Sequence, residues 1–203
     1  MEWLVTLGRT LGFSLAAGVN LYATVAILGL ASRYEWVQLP EQFKAFDNPW
    51  IIGAAGLLYV VEFVADKVPW VDSIWDSVHT LIRPVGGAVI AVATLGDASP
   101  TTTAAIALLG GAVSASSHAT KAGTRVAANT SPEPFSNWFL SIAEDVFVIG
   151  LSFITLKFPL IALGLSAVIL LLMMVLARTI WKWLTRKAPS GASTGSLQES
   201  PRT

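Results

Sequence analysis

Six apolar stretches dominate this chain, at residues 7–32, 50–68, 84–95, 101–128, 135–156 and 158–180, and they leave little room for anything but helix in a bilayer. A helix that crosses a membrane takes about 20 predominantly apolar residues, and in hydrocarbon every backbone polar group must be satisfied within its own segment. The rest of the composition agrees: of 203 residues, 54% are hydrophobic and 13% charged, with a mean hydropathy of +0.63. Soluble domains carry about 25% charged residues. Trp3, Trp36, Trp50, Trp70, Trp138, Trp181 and Trp183 stand near the ends of apolar stretches, where an amphipathic ring prefers the headgroup layer.

The expected fold is therefore an all-α integral membrane protein with about six transmembrane helices. The amino-terminal stretch lacks a basic leader region and is much longer than the roughly 7–15 apolar residues of a signal sequence, so it reads as a retained first span. Between the second and third stretches, "WVDSIWDSVHTLIRP" sets Val71, Ile74, Trp75, Val78 and Ile82 on one helical face and Asp72, Asp76, His79 and Arg83 on the other. That pattern suits an amphipathic helix lying on the membrane surface, with His79 facing water. Arg178, Lys182, Arg186 and Lys187 follow the last stretch, whereas "GDASP" has no basic residue. By the positive-inside rule the carboxyl terminus is cytoplasmic, and six spans place the amino terminus there too.

Two polar interruptions have the same form. "NLYATVA" aligns with "SSHATKA", setting Asn20 against Ser116, Ala23 against Ala119, Thr24 against Thr120 and Ala26 against Ala122. Further on, "LLYVVEFV" aligns with "FLSIAEDV" and pairs Glu62 with Glu144, and a proline, Pro84 or Pro159, opens each third element. Two halves of three spans each make an inverted-topology repeat, residues 1–98 and 99–187, followed by a small, polar, disordered tail at 188–203. In such folds matching helices break near the midplane, so Gly18 and Asn20 in one half, and Gly110, Gly111, Ser114, Ser116 and Ser117 in the other, are expected breaks. The alternative is that these small residues let helices pack closely.

Ionisable side chains at membrane depth cost several kcal/mol unless paired or hydrated, so each is a functional candidate. They fall in stripes: Tyr59, Glu62 and Asp66; Ser114, His118, Lys121 and Arg125; and Asn137, Ser141 and Glu144, with Asp145 adjacent. The expected site for an ion or small polar solute comprises Asn20, Glu62, Ser116, His118, Lys121, Arg125, Glu144 and Asp145. Glu62 or Glu144 would carry protons and Lys121 would hold an anionic group. The alternative is structural ion pairing of Lys121 with Glu144 and of Arg125 with Asp145.

Other chemistries find no footing. There is no cysteine, hence no disulfide or thiolate metal site, and the two histidines lie far apart with no HExxH. "LLGGAVSAS" lacks the GK[ST] ending of a phosphate loop, and no nucleophile elbow or Ser-His-Asp order stands out. No cofactor, resident metal or enzymatic activity is expected. A formal net charge of zero gives no reason to expect nucleic acid as a partner. A homodimer would use the Gly53 and Gly56 or the Gly86 and Gly87 surfaces.

The blocks "AAGVNLYATVAILGLASR", "VPWVDSIWDSVHTLIRPVGGAVIA" and "SSHATKAGTRVAANTSPEPFSNWFLSIAEDV" resemble the signature blocks of a membrane family known as domain of unknown function 4126. The resemblance spans nearly the whole chain apart from the tail. It implies a small multi-pass protein of the bacterial inner membrane and brings no activity or substrate with it. The functional expectation therefore rests on the residues: a small channel or secondary transporter for an ion or small polar solute, or else a non-transporting membrane module that binds lipid or a partner protein.

Overall fold

Met1 and Lys187 lie at opposite ends of a helical bundle, called here the amino end and the carboxyl end. The computed structural model describes residues 1–129 and 135–187. Among these it is all-helical, with α1 (Glu2–Val19), α2 (Leu21–Arg33), α3 (Pro49–Ala65), α4 (Pro69–Ala93), α5 (Pro100–Asn129), α6 (Phe135–Lys157) and α7 (Pro159–Lys187). A short 3-10 segment, Glu41–Phe46, precedes α3. Two helical segments, Phe135–Lys157 and Pro159–Thr179, are long and apolar enough to cross a membrane.

The first apolar stretch is a helical hairpin and not a single span. At Asn20 the backbone turns extended (φ −144°, ψ 99°), and α2 runs back beside α1. Arg9 consequently donates to the Gln38 carbonyl at 3.2 Å, and Phe13 on α1 shares a buried cluster with Leu28 and Ala31 on α2. The Asn20 side chain accepts from Ala23 N at 2.9 Å, capping α2 at its first turn. The end of α1 meets side chains from its neighbours. Ser117 donates to Leu15 O at 2.8 Å, and Lys121 donates to Val19 O at 3.3 Å. These contacts let a helix end inside the bundle without water.

From there the chain alternates direction: α3 towards the carboxyl end, α4 back, α5 out, α6 back and α7 out. Thr10 pairs with Thr94 at 2.6 Å near the amino end, while Arg125 reaches Asn137 O and Asp66 O near the carboxyl end. With the hairpin replacing a crossing, the number of traverses is odd. Met1 and Lys187 therefore lie at opposite ends, where six spans would have put them together.

The expected second break is absent, since α5 is helical without interruption from Pro100 to Asn129. Its small residues serve close packing. A Cβ at Gly110 would meet Ala91 Cβ and the Gly87 carbonyl, and one at Gly87 would meet Ser114. A Cβ at Gly18 would meet the Ser114 carbonyl and Ser117. A Cβ at Gly86 would meet Leu21 of the same chain, whereas Gly53 and Gly56 face open space.

The expected surface helix is the first half of α4, continuous through Pro84. Its polar face points inward: Asp72, Asp76, His79 and Arg83 are all buried. Its apolar face, with Ile74, Val78, Leu81, Ile82 and Val85, is exposed. Periodicity had separated the two faces correctly and assigned the wrong one to the outside. His79 is a buried group, stacked on Trp75 at a centroid distance of 4.7 Å.

Candidate functional site

The polar stripes of α4 and α5 have the same spacing, Asp72, Asp76, His79, Arg83 and Ser114, His118, Lys121, Arg125, and the two helices run antiparallel. Arg83 therefore sits beside Ser114 and His118, and Thr80 beside His118. The third stripe, Glu62 and Asp66 at the end of α3, closes over Lys121 and Arg125. The fourth, on α6, brings Glu144 against the same two cations.

Each cation is multiply engaged. Arg83 contacts Glu62 at 2.6 Å and Asp76 at 3.2 Å. Lys121 lies 3.1 Å from Glu62, 3.3 Å from Asp66 and 3.5 Å from Glu144. Arg125 holds Glu144 through two parallel contacts, Nε to Oε1 at 3.0 Å and Nη2 to Oε2 at 2.6 Å, and Asp66 at 3.0 Å. Such forked guanidinium–carboxylate pairs are the strong ones.

The hydrogen bonds assign both imidazoles. Arg83 donates to His118 Nδ1 at 2.6 Å, so His118 carries its proton on Nε2 and donates to Thr80 Oγ1 at 3.2 Å, whose hydroxyl donates to Asp76 O. His79 donates from Nδ1 to Trp75 O at 2.7 Å and accepts from the Tyr22 hydroxyl at Nε2, 2.8 Å. Both rings are neutral in this arrangement.

Of the expected residues, Glu62, His118, Lys121, Arg125 and Glu144 meet in one network. Asn20 lies at its edge but spends its side chain on the α2 cap. Ser116 is exposed and donates to Ala112 O, outside the network. Lys121 does pair with Glu144, but Arg125 pairs with Glu144 and not with Asp145. Asp145 is nine-tenths buried, with the Tyr59 hydroxyl beside it. With three carboxylates around it, Lys121 has no free valence for an anion.

Reading the sequence missed Arg83, Asp72, Asp76 and His79 as members; the identical stripe spacing on α4 and α5 was the signal that would have found them. Lys67, in the α3–α4 connection, donates to Phe63 O at 2.8 Å and Ser141 Oγ at 3.3 Å, and burial pushes its amine below the ordinary lysine value.

The charges do not balance. Among the described residues, Glu62, Asp66, Asp72, Asp76 and Asp145 are buried carboxylates, with Glu144 partly buried, and the buried cations are Arg83, Lys121 and Arg125. Half-buried Lys67 offsets one more at the rim. Asp72 stands in the first turn of α4, where the positive end of the helix favours a carboxylate. Two cavities flank the network. One of about 190 Å³ is lined by Asp72, Asp76, Thr80 and Arg125, and one of about 270 Å³ by Lys121, Glu144, Phe147 and Met173.

Among the described residues no group of three or more His, Asp or Glu side chains is arranged to hold a metal ion. No curated protein and no solved structure matches the chain. A family model, a domain of unknown function (DUF4126), matches residues 7–179, and the chain belongs to that family.

Proposed function

We propose that this is a multi-pass membrane protein that moves protons or a small cation, with five crossing helices and the α1–α2 hairpin entering from the amino end. The observation that carries the reading is the buried excess of carboxylates around the hairpin tip. An uncompensated charge in a medium of low dielectric is prohibitively costly, so the excess calls for protons or a bound cation. The exposed apolar residues of α4, together with Leu57, Val60 and Val64 on α3 and Leu165, Val168, Leu171 and Leu172 on α7, supply the belt that lipid would cover.

The basic residues Arg178, Lys182, Arg186 and Lys187, with Lys67, gather at the carboxyl end, which favours a cytoplasmic carboxyl end and an amino terminus on the other side. The repeat is best drawn as α2–α3–α4 against α5–α6–α7. These triplets run in opposite directions, α1 is an addition, and Glu62 and Glu144 both reach Lys121. Membership of the family and the two apolar spans support a bacterial inner-membrane location.

A second reading, a non-transporting module that binds lipid, is favoured by the groove lined by Leu140, Phe147, Ile169 and Met173 and by the tight packing of the amino half. The experiment that separates the two is charge movement in proteoliposomes on a solid-supported membrane. Transport predicts a protein-dependent current on a pH or monovalent-cation jump and no response to anions. Folded wild-type protein silent to every cation and to pH would sink the transport reading and leave lipid binding to be measured.

A further inference from the structure

Of the five buried carboxylates and the partly buried Glu144, all but Asp145 have an evident counter-charge. Glu62, Asp66, Asp76 and Glu144 each contact Arg83, Lys121 or Arg125, and Asp72 stands at the amino end of α4. Asp145 differs. It is nine-tenths buried, no cation among the described residues lies within ion-pair distance of it, and its Oδ2 has no hydrogen-bond partner. The Tyr59 hydroxyl lies beside it. The charged groups that face it are Glu62 and Asp66 on α3, Lys67 in the connection and Lys121 on α5. Both acids are nearer to their own cations, and Lys67 is turned to Phe63 O, Ser141 and the Phe63 ring, 3.0 Å from its centroid.

We propose that Asp145 is the proton-binding site of this protein: its unpartnered Oδ2 takes up and releases a single proton beside the Tyr59 hydroxyl. The assignment rests on the proton-or-cation reading above and narrows it to protons at one residue. It also moves the proton from Glu62 and Glu144, where sequence reasoning had put it. Each of those carboxylates is held by two cations, whereas Asp145 is held by none among the described residues. Adjacent residues on α6 thus divide the work, Glu144 neutralising Arg125 and Asp145 exchanging with the outside. A phenol beside a carboxyl also gives the proton a neighbouring oxygen to pass along, and Tyr59 is only partly buried.

The test is infrared difference spectroscopy of the purified full chain in liposomes across a pH series, with no gradient imposed. The expected result is one protonated-carboxyl carbonyl band that titrates, is lost in Asp145→Asn, and shifts in frequency in Tyr59→Phe, which keeps the carboxyl. A titrating band that survives Asp145→Asn, or one indifferent to Tyr59→Phe, would overturn the assignment, as would a wild type with no such band at any pH. The readout needs no transport. A titrating Asp145 in a protein silent on the solid-supported membrane would defeat the transport reading and leave the proton site standing.

Discussion

Arg83 Nη1 donates to His118 Nδ1 at 2.6 Å, which ties the only cation buried on α4 to the only histidine on α5. A guanidinium cannot accept, so this contact requires a bare Nδ1 and puts the ring proton on Nε2. Nitrogen NMR of the histidine-labelled protein should show His118 as the Nε2–H tautomer and His79 as the Nδ1–H tautomer. A doubly protonated His118 in the folded protein would mean that Arg83 points elsewhere.

Arg83 and Glu62 are both fully buried, so removing either takes from the other its shortest ion pair. Arg83→Met or Glu62→Gln alone should lower stability by about 3–5 kcal/mol, and the double variant should lose much less than the sum. A double-mutant cycle read by unfolding in mild detergent checks this. Strict additivity would show that the two groups do not depend on each other.

Glycines divide into those that touch and those that do not. Gly87→Val, at the α4–α5 crossing, should cost about 1–3 kcal/mol through overpacking. Gly53→Ala, facing open space in the middle of α3, should be neutral or gain up to about 1 kcal/mol from helix propensity. Equal effects at the two positions would contradict the packing described here.

At the hairpin tip, Asn20→Ala removes the acceptor for Ala23 N and should cost about 0.5–2 kcal/mol, whereas Asn20→Ser should retain most of the stability. If Ser is as damaging as Ala, Asn20 matters for something other than its cap.

The hairpin also predicts sidedness. The chain has no cysteine, so single thiols placed at Gln38 and Lys182 can be labelled from either side with an impermeant maleimide. The expected result is reaction from opposite sides of sealed vesicles. Reaction of both from one side would restore a first helix that crosses completely.

Much of this architecture was legible in the sequence, because apolar density locates helices well. The positions of α3, α5, α6 and α7 follow from it, as do Glu62, Lys121, Arg125 and Glu144, charges too costly among apolar side chains to lie there without partners. The hairpin was not legible. Both of its arms are apolar, and only long-range contacts such as Arg9 with Gln38 reveal that the chain doubles back. The role of α4 was hidden for a different reason: periodicity marks two faces without saying which looks out, and the answer depends on the solvent. Ser116 was misassigned because residues 114, 117, 118, 121 and 125 share one face of α5 and 116 does not.

The inside-out character of α4 has a consequence for how this protein is made. A segment with two aspartates, a histidine and an arginine within three turns is a poor candidate to enter a bilayer alone, since each charge would meet hydrocarbon before meeting its partner. Its partners lie on α3, which is synthesised just before it, and on α5, just after. On the membrane reading proposed above, insertion of α4 waits for α5 to emerge, so that the middle of the chain enters as a group whose charges meet their partners, and truncation before Lys121 should leave α4 stranded at the surface.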